Sequence, residues 1–286
     1  MLGTGYLYSS SVQLSVVIIT YNEEANLGRT LASVGPLVCD GGGEIIVVDS
    51  GSTDRTVEIA RQHGAKVFIE PWKGFAAQKN SAIEKANGDW ILSLDADEEV
   101  EPRLVQEIDE ARQQPSPDAK PARPEEWCLT MKVEGRAVQP EAYRIARKNL
   151  FLGRWIKHGS FWPDPKLRLF RRGTAQFENR AVHEDARTSR LTGVMRAGAL
   201  LHHSYPTLSD YIEHMNRYSS LGAEMAGPRG FNLANIVLRP PATFIYNYFF
   251  RLGFLDGREG LLLHLYHAVY VSWKYAKAWE LKRRSR

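Results

Sequence analysis

The stretch Glu44-Ile-Ile-Val-Val-Asp-Ser-Gly-Ser-Thr-Asp54 runs from an apolar, β-branched segment straight into a small polar turn. The apolar part has the length of a buried strand and is too short for a helix. The residues that follow predict a helix that is capped by Ser52 or Thr53 and ended by Gly64. The stretch therefore predicts a strand, a polar turn and a helix in succession.

The same alternation continues on both sides of this stretch. Leu14–Thr20 is a second β-branched run, and Asn22 can cap the helix that follows it. Further along, the pattern predicts strands over 66–70 and 90–94, a helix over 75–86, and a helix that begins at Pro102. Repeated strand-helix-strand units indicate an α/β fold with a mostly parallel sheet covered by helices.

Basic residues are concentrated at one end of the chain. The 286 residues carry a net charge of +4, and Lys274–Arg286 alone contributes +5, so the rest of the chain sums to −1. A nucleic-acid-binding protein would spread its basic residues over a face or a recognition element. We therefore expect no nucleic-acid partner.

Cysteine content and hydropathy exclude further classes of protein. Cys39 and Cys128 are too few for a disulfide framework or a thiolate zinc site, and they suit a reducing compartment. The first apolar run lacks the basic flank and the length of a signal peptide. No stretch reaches the roughly 18 apolar residues that a membrane span needs. These features predict a cytoplasmic protein.

The pattern changes after a proline-rich loop over 115–126. Short strands are predicted over 127–133, 166–172 and 194–204, and a helix begins near Thr207. This second part lacks the regular strand-helix alternation of the first.

Polar residues follow three of the predicted strands. They form Thr20-Tyr-Asn-Glu23, Asp49-Ser-Gly-Ser52 and Asp95-Ala-Asp97. Ligands of open parallel sheets bind outside the carboxyl ends of the strands, so these groups should converge on one crevice. The two carboxylates of Asp95 and Asp97 suit Mg²⁺ or Mn²⁺, with a diphosphate as a further ligand. The same pair, followed by Glu98 and Glu99, also fits a solvated turn at the start of a surface helix.

Three blocks together resemble the family 2 inverting glycosyltransferases of the GT-A fold: Thr20–Leu27, Glu44–Asp54 and Gly88–Asp97. The resemblance implies that Thr20, Tyr21 and Glu23 line a nucleoside pocket and that Asp49 hydrogen-bonds the base, with Ser52 beside it. It also implies that Asp95 and Asp97 hold the metal ion and the ribose-diphosphate. Lys79 and Asn80 stand where the family often has Arg-Asn facing the donor.

The second half contains five further motifs: Gly153–His158, Phe161–Phe170, Val182–Glu184, His203–Tyr205 and Phe254–Gly257. Together they resemble the bacterial lipopolysaccharide-core β-glucosyltransferase-like subgroup. The proline-rich loop departs from the family pattern.

Inversion requires a base that deprotonates the acceptor hydroxyl. By its position in the second half, Glu184 is the first candidate and Asp185 the second. His183 is a third metal ligand, a phosphate contact or a structural histidine. Arg168 and Lys157 could contact a diphosphate or be surface strand residues.

The expected division has four parts. A nucleotide-sugar-binding half covers 1–114 and is followed by the proline-rich loop 115–126. An acceptor and catalytic half of the same GT-A domain covers 127–232, and a helical, membrane-associating segment covers 233–286.

The expected reaction moves a hexose from a nucleotide donor, most simply a UDP-sugar, to a lipopolysaccharide-core or other lipid-linked glycan. Two alternatives stay open at this point. A sugar-1-phosphate nucleotidyltransferase would carry a glycine-rich loop after the first strand, where this chain has Tyr-Asn-Glu-Glu. A catalytically silent sugar-nucleotide-binding protein would keep the site without turnover.

The C-terminal segment suggests a place for the reaction. Pro240 and Pro241 should break the chain before the aromatic stretch 243–252, and a helix is predicted over 261–281. Aromatic residues next to lysines are typical of a helix at a membrane surface, and the basic tail would favour anionic lipid. This predicts peripheral attachment to the inner face of the cytoplasmic membrane. Simple packing on the catalytic domain is the alternative.

Overall fold

The computed structural model describes residues 13–39, 42–113, 131–133, 136–178, 185–226 and 233–284. In chain order the strands are β1 (Leu14–Thr20), β2 (Gly43–Asp49), β3 (Lys66–Ile69), β4 (Trp90–Asp95), β5 (Glu98–Val100), β6 (Met131–Val133), β7 (Arg136–Val138), β8 (Ala142–Ile145), β9 (Arg147–Phe151), β10 (Arg154–Trp155), β11 (Lys166–Arg171), β12 (Gln176–Phe177), β13 (Ala186–Arg187), β14 (Thr192–Val194) and β15 (Leu200–Tyr205). The helices are α1 (Leu27–Val38), α2 (Thr56–Gln62), α3 (Phe75–Glu84), α4 (Pro102–Gln113), α5 (Leu208–Ala226), α6 (Leu233–Val237), α7 (Arg239–Ile245) and α8 (Gly257–Arg284).

The chain forms two compact units that interleave along the sequence. Unit 1 comprises Met1–Ile145, Lys166–Glu178 and Asp185–Ala199, and unit 2 comprises Ala146–Pro165, Asn179–Glu184 and Leu200–Arg286. These units cut across the four segments expected from the sequence, which remain a prediction about function. The proline-rich loop 115–126 lies outside the described residues.

A seven-stranded sheet in the order β14-β8-β11-β4-β1-β2-β3 is the centre of unit 1. Strands β1 to β4 are parallel, and β11 runs antiparallel between β4 and β8. The side chains of β1, β2 and β4 are almost all buried because the sheet is covered on both faces, as their continuous apolar runs predict. The predicted α/β fold with a mostly parallel sheet is confirmed.

Local capping differs from expectation at both of the first two helices. Helix α1 begins at Leu27, and the Asn22 side chain instead accepts a hydrogen bond from the Thr53 amide. Helix α2 begins at Thr56, whose amide donates to Asp54. Asn22, Ser52 and Thr53 therefore do not cap helices, because their polar groups bind across the two loops.

The segment predicted as one strand over 194–204 is two strands, β14 and β15. Between them the Glu107 carboxylate accepts hydrogen bonds from the amides of Arg196 and Ala197 at 2.8 and 2.9 Å. Gly198 lies so close to Leu104 that a Cβ atom would sit 2.4 Å from the Leu104 amide nitrogen. Contacts with α4 thus interrupt the extended chain.

Unit 2 combines a small sheet with long helices. Strand β9 pairs with β10 and with β15. The apolar core of unit 2 contains Phe151, Ile156, Tyr211 and Leu263. The helix expected near Thr207 is α5, and the one expected over 261–281 lies within α8. Pro240 and Pro241 lie in the first turn of α7, which continues into a π-helical turn, Tyr246–Phe250, and a 3-10 turn, Gly253–Asp256. Among the described helices, none has the length and apolarity to cross a membrane.

Candidate active site

The sheet register brings the three predicted strand ends together. Thr20 is the partner of Asp49 on the neighbouring strand, and Ile19 is the partner of Asp95 on the other side. The polar residues after β1, β2 and β4 therefore lie along one edge of unit 1. Topology alone places them there, since parallel neighbours end at the same edge.

Asp49 is fully buried and its carboxylate is extensively hydrogen-bonded. Oδ1 accepts from the amides of Gly51 and Ser52 at 2.9 and 2.8 Å, and Oδ2 accepts from Thr20 Oγ1 and Ser52 Oγ at 2.9 and 2.5 Å. These four bonds fix the turn after β2. Asp49 therefore organises the site, whichever contact it makes with a ligand.

Reciprocal hydrogen bonds join the loops after β1 and β2. The backbone N–H of Asn22 donates to Ser52 Oγ at 2.8 Å, while the backbone N–H of Thr53 donates to Asn22 Oδ1 at 2.9 Å. Asn22 adopts a φ of +54°, a left-handed conformation that Asn tolerates better than most residues. Two more amides, of Glu23 and Glu24, donate to Thr56 and Asp54. The two loops therefore form one rigid rim, with Tyr21 exposed on it.

Asp95 is held by two cations. Lys79 Nζ lies 2.7 Å from Oδ1, and Arg168 Nη2 lies 2.5 Å from Oδ2. Arg168 also binds the fully buried Glu98 at 2.6 Å. Burial alone would lower the pKa of Arg168, but the charges of Asp95 and Glu98 raise it above its ordinary value. Arg168 is thus a buried structural cation and not the surface strand residue considered above.

Glu98 belongs to the candidate site through its contacts with Asp95 and Arg168, although the sequence pattern does not single it out. The run of acidic residues fits a turn at the start of a surface helix, yet β5 buries both Glu98 and Val100 while Glu99 is partly exposed. The period of two in this short segment is the signal of a strand. Glu98 also accepts a hydrogen bond from the Asp95 amide and so fixes the turn that follows β4.

Asn80 binds the backbone of β12 through both ends of its amide. Its Nδ2 donates to the Phe177 carbonyl, and the Phe177 amide donates to its Oδ1, both at 2.9 Å. The neighbouring Lys79 Nζ lies 5.0 Å from the centre of the Phe177 ring. The contact of Asn80 with the donor stays a prediction.

Carboxylates accumulate beside this edge of the sheet. The pKa of Glu23 is raised, first by burial and then by the charges of Asp97, Asp54 and Asp95. Repulsion of this kind is relieved by a bound cation, and carboxylate oxygens are the donors that Mg²⁺ and Mn²⁺ prefer. The residues therefore fit a divalent ion. Among the described residues no set of three His, Cys, Asp or Glu side chains forms a ready cage, so a bound diphosphate would have to complete the coordination.

The predicted base residues are only partly within the described structure. Asp185 lies next to Arg144, with 3.5 Å between Oδ2 and Nη1. His183 and Glu184 lie outside the described residues. Lys157 belongs to unit 2, where its Nζ lies 4.5 Å from the centre of the Trp155 ring.

Comparison with known proteins identifies the family. Residues 15–172, more than half of the chain, match the model of glycosyl transferase family 2. The chain belongs to this family. The resemblance seen in the sequence is confirmed, and the three strand ends that form the candidate site all fall inside the matched region of this family 2 glycosyltransferase.

Relatives of known name cover almost the whole chain. Lipopolysaccharide core biosynthesis glycosyltransferase LpsC of Rhizobium meliloti (strain 1021) is 29% identical over 93% of this chain and 92% of that protein. The uncharacterized glycosyltransferase RT0209 of Rickettsia typhi (strain ATCC VR-144 / Wilmington) is 30% identical over 96% of this chain and 89% of that protein.

A solved structure matches a smaller part of this family 2 glycosyltransferase. Glucosyl-3-phosphoglycerate synthase of Mycobacterium tuberculosis, in complex with Mn²⁺, UDP and glucosyl-3-phosphoglycerate, is 30% identical. The match covers 34% of this chain and 37% of that chain, with a TM-score of 0.29.

Proposed function

We propose that this family 2 glycosyltransferase moves a hexose from a UDP-sugar to a hydroxyl of a lipopolysaccharide-core or other lipid-linked glycan, with inversion. The donor assignment depends on the position of Asp95 at the edge formed by β1, β2 and β4. Lys79 and Arg168 fix its carboxylate, and Asp97 follows two residues later. The acceptor assignment is supported by the similarity to LpsC over almost the whole chain. Family membership favours sugar transfer over the nucleotidyltransferase alternative.

The nucleoside part of the donor would occupy the rigid rim. The exposed ring of Tyr21 offers an apolar face for a base, while Thr20, Glu23, Asp49 and Ser52 supply polar groups in the loops after β1 and β2. Because these groups are already fixed by internal hydrogen bonds, little ordering is needed when a nucleotide binds.

The diphosphate would lie at the end of β4. Asp97 and Asp95 would hold Mg²⁺ or Mn²⁺, with His183 as a further candidate ligand. A bound cation would neutralise charge on the departing diphosphate. Lys79 Nζ lies 2.7 Å from Asp95 Oδ1 and helps to hold this carboxylate in place.

Glu184 is the proposed base, with Asp185 as the second candidate. A base acts on the acceptor hydroxyl, so Glu184→Gln should lower kcat by about 100-fold or more and leave donor affinity unchanged. Asp49→Ala should instead weaken donor binding, because its contacts are made before the reaction begins. Equal losses of donor affinity in the two variants would contradict this division of roles.

Acceptors of this class are amphiphilic, so we propose that the enzyme works at the cytoplasmic face of the cytoplasmic membrane. The C-terminal segment 233–286 would provide the contact with anionic lipid. Its cations and exposed apolar side chains support this assignment.

The direct test is a screen of nucleotide sugars with purified protein and Mn²⁺. We expect slow hydrolysis of one UDP-hexose without acceptor, and transfer when lipopolysaccharide-core glycans are added. Release of pyrophosphate from UTP and a sugar phosphate would identify a nucleotidyltransferase instead. Saturable nucleotide-sugar binding with no turnover under any condition would identify a silent binding protein.

A further inference from the structure

One short part of unit 2 leaves many large apolar side chains in water. Of the twenty exposed large apolar side chains among the described residues, nine lie within residues 237–255. We call these nine the apolar ridge: Val237, Leu238, Ile245, Tyr246, Phe249, Phe250, Leu252, Phe254 and Leu255. Phe250 is the most exposed, at 74%. A concentration of large exposed apolar side chains in one short segment marks an interaction surface.

The ridge stands on a rigid base. The Tyr248 ring contacts the rings of Phe249, Phe254 and His264, with centroid distances of 5.1 to 6.3 Å. His264 is buried, and its ring lies so close to Gly253 that a Cβ there would be 2.3 Å from Nε2. Close packing therefore fixes this turn, and the exposure of the ridge is built into the fold.

A second set of contacts fixes the end of the ridge. The buried Asp256 carboxylate accepts hydrogen bonds from the amides of Lys157 and His158 at 3.2 and 2.8 Å, and it lies 3.0 Å from His158 Nδ1. Leu252 adopts a left-handed φ of +59° just before this turn. A strained residue persists only where its surroundings hold it in place.

The exposed charged side chains between 233 and 258 are basic, and the partly exposed Glu259 that follows lies 3.5 Å from Arg154. Arg239, Arg251 and Arg258 are exposed. Asp256 is the one acidic residue in the sequence from 233 to 258, and its carboxylate is buried beneath the turn. The exposed surface of this stretch therefore combines aromatic rings with arginines and offers no exposed acidic side chain. This is the composition that anionic headgroups above an acyl layer attract.

The second half of α8 is less available for insertion into a membrane than the apolar ridge. Tyr275 and Ala278 are buried, and Lys277 Nζ donates to the Asn216 side chain and to Ser219 Oγ on α5, at 2.6 and 2.7 Å. This part of the helix packs on α5 within unit 2. The basic tail beyond it can attract lipid but has few apolar side chains to insert.

We propose that the apolar ridge, and not the aromatic second half of α8, enters the headgroup layer of an anionic membrane. This inference rests on the membrane association proposed above and is independent of the donor and metal assignments. The arginines would meet the lipid phosphates while the Phe249 and Phe250 rings pass below them.

The test is co-sedimentation of the full chain with vesicles of phosphatidylcholine and phosphatidylglycerol. Three variants are compared: Phe249→Glu with Phe250→Glu in the ridge, Trp279→Glu on α8, and removal of residues 282–286. Ile69→Glu, an exposed apolar residue of unit 1, is the matched control. We expect the ridge variant to bind about tenfold or more weakly, since binding scales with inserted apolar area, and the others to change by about threefold or less. Thermal unfolding of each variant, followed by circular dichroism, reports whether the fold is intact.

Each other result overturns the inference in a different way. If the full chain stays in the supernatant at low salt, the membrane association is wrong, while sugar transfer is still measured by the nucleotide-sugar screen. If the ridge variant binds like the control and the Trp279 or tail variant does not, the membrane contact lies on α8. If the ridge variant abolishes self-association in sedimentation velocity and vesicle binding is absent, the ridge is an interface between two copies.

Discussion

At the scale of single residues, the most consequential side chain in unit 1 is Arg168. It is buried between Asp95 and Glu98, so its removal would leave two carboxylates without a counter-charge. We expect Arg168→Met to lower the free energy of unfolding by about 3–5 kcal/mol, measured by denaturant titration. Arg172→Met, an exposed neighbour at the end of β11, is the control and should change it by less than about 0.5 kcal/mol. Equal effects of the two substitutions would show that the buried pairing is dispensable.

Asp97 allows a separate test of the metal assignment. Asp97→Asn keeps the shape of the side chain and removes a charged oxygen ligand. We expect at least about 100-fold slower donor turnover and loss of the Mn²⁺ dependence of UDP binding, measured by calorimetry with and without the ion. Glu99→Gln, two residues further on, should leave both quantities near the wild-type values. Turnover of the Asp97 variant at the wild-type rate would refute the assignment.

Some of these residues could be predicted from the sequence because their signal is local, and others could not because they depend on contacts between distant positions. Thr20, Asp49 and Asp95 follow apolar runs directly, so a local pattern was enough to place them at strand ends. Arg168 and Glu98 are 70 positions apart and meet only because β11 lies beside β4. No local pattern carries such a contact.

At the scale of elements, Glu70 joins β3 to α3. Its carboxylate binds Lys85 and Lys73 at 2.6 and 2.9 Å and accepts a hydrogen bond from Ser81 at 2.7 Å. These contacts, led by the hydrogen bond from Lys85, lower the pKa of Glu70 from 4.5 to about 2. A carboxyl whose pKa is lower in the folded state stabilises the fold above pH 4.5, and this contribution is lost as the pH falls toward 2.

The free energy of unfolding of the wild-type chain should fall as the pH falls from 4.5 to about 2, and we expect Glu70→Gln to make this fall smaller. At neutral pH the same substitution should lower the free energy of unfolding by about 1 kcal/mol, because the contacts are partly screened by water. Urea titrations at a series of pH values measure both effects. Glu84→Gln, on the exposed face of α3, should reproduce the wild-type profile. A Glu70 variant whose free energy of unfolding falls as much as that of the wild type over this range would contradict the prediction.

Helices and strands were predicted well where their signals were local. Pro102 begins α4 and Gly64 ends α2 with a φ of +75°, as their positions in the sequence indicated. The predicted bounds of helices and strands were wrong where side chains bind distant partners. Asn22 binds Thr53, 31 residues away, and Glu107 bends the chain after β14.

At the scale of the whole molecule, unit 1 is not a continuous piece of chain. Strand β11 comes after the first segment of unit 2 and yet lies between β4 and β8. A fragment of residues 1–145 would lack this strand and expose the apolar surface of β4. We expect the fragment to show no cooperative thermal unfolding by circular dichroism, whereas the full chain does. A cooperative transition in the fragment would mean that the parallel strands are sufficient for folding.

The position of β11 also has a consequence for folding during synthesis, because this strand follows β4 and β8 in the chain but lies between them in the sheet. While the chain is being synthesised, β4 and β8 leave the ribosome before the strand that separates them. At about 5 to 20 residues per second, the wait for residues 166–171 lasts on the order of seconds. During that interval the edges of β4 and β8 that β11 will cover have no partner strand, and unpaired edges of this kind can pair with other nascent chains. The centre of the seven-stranded sheet is therefore completed only after its neighbouring strands have been synthesised.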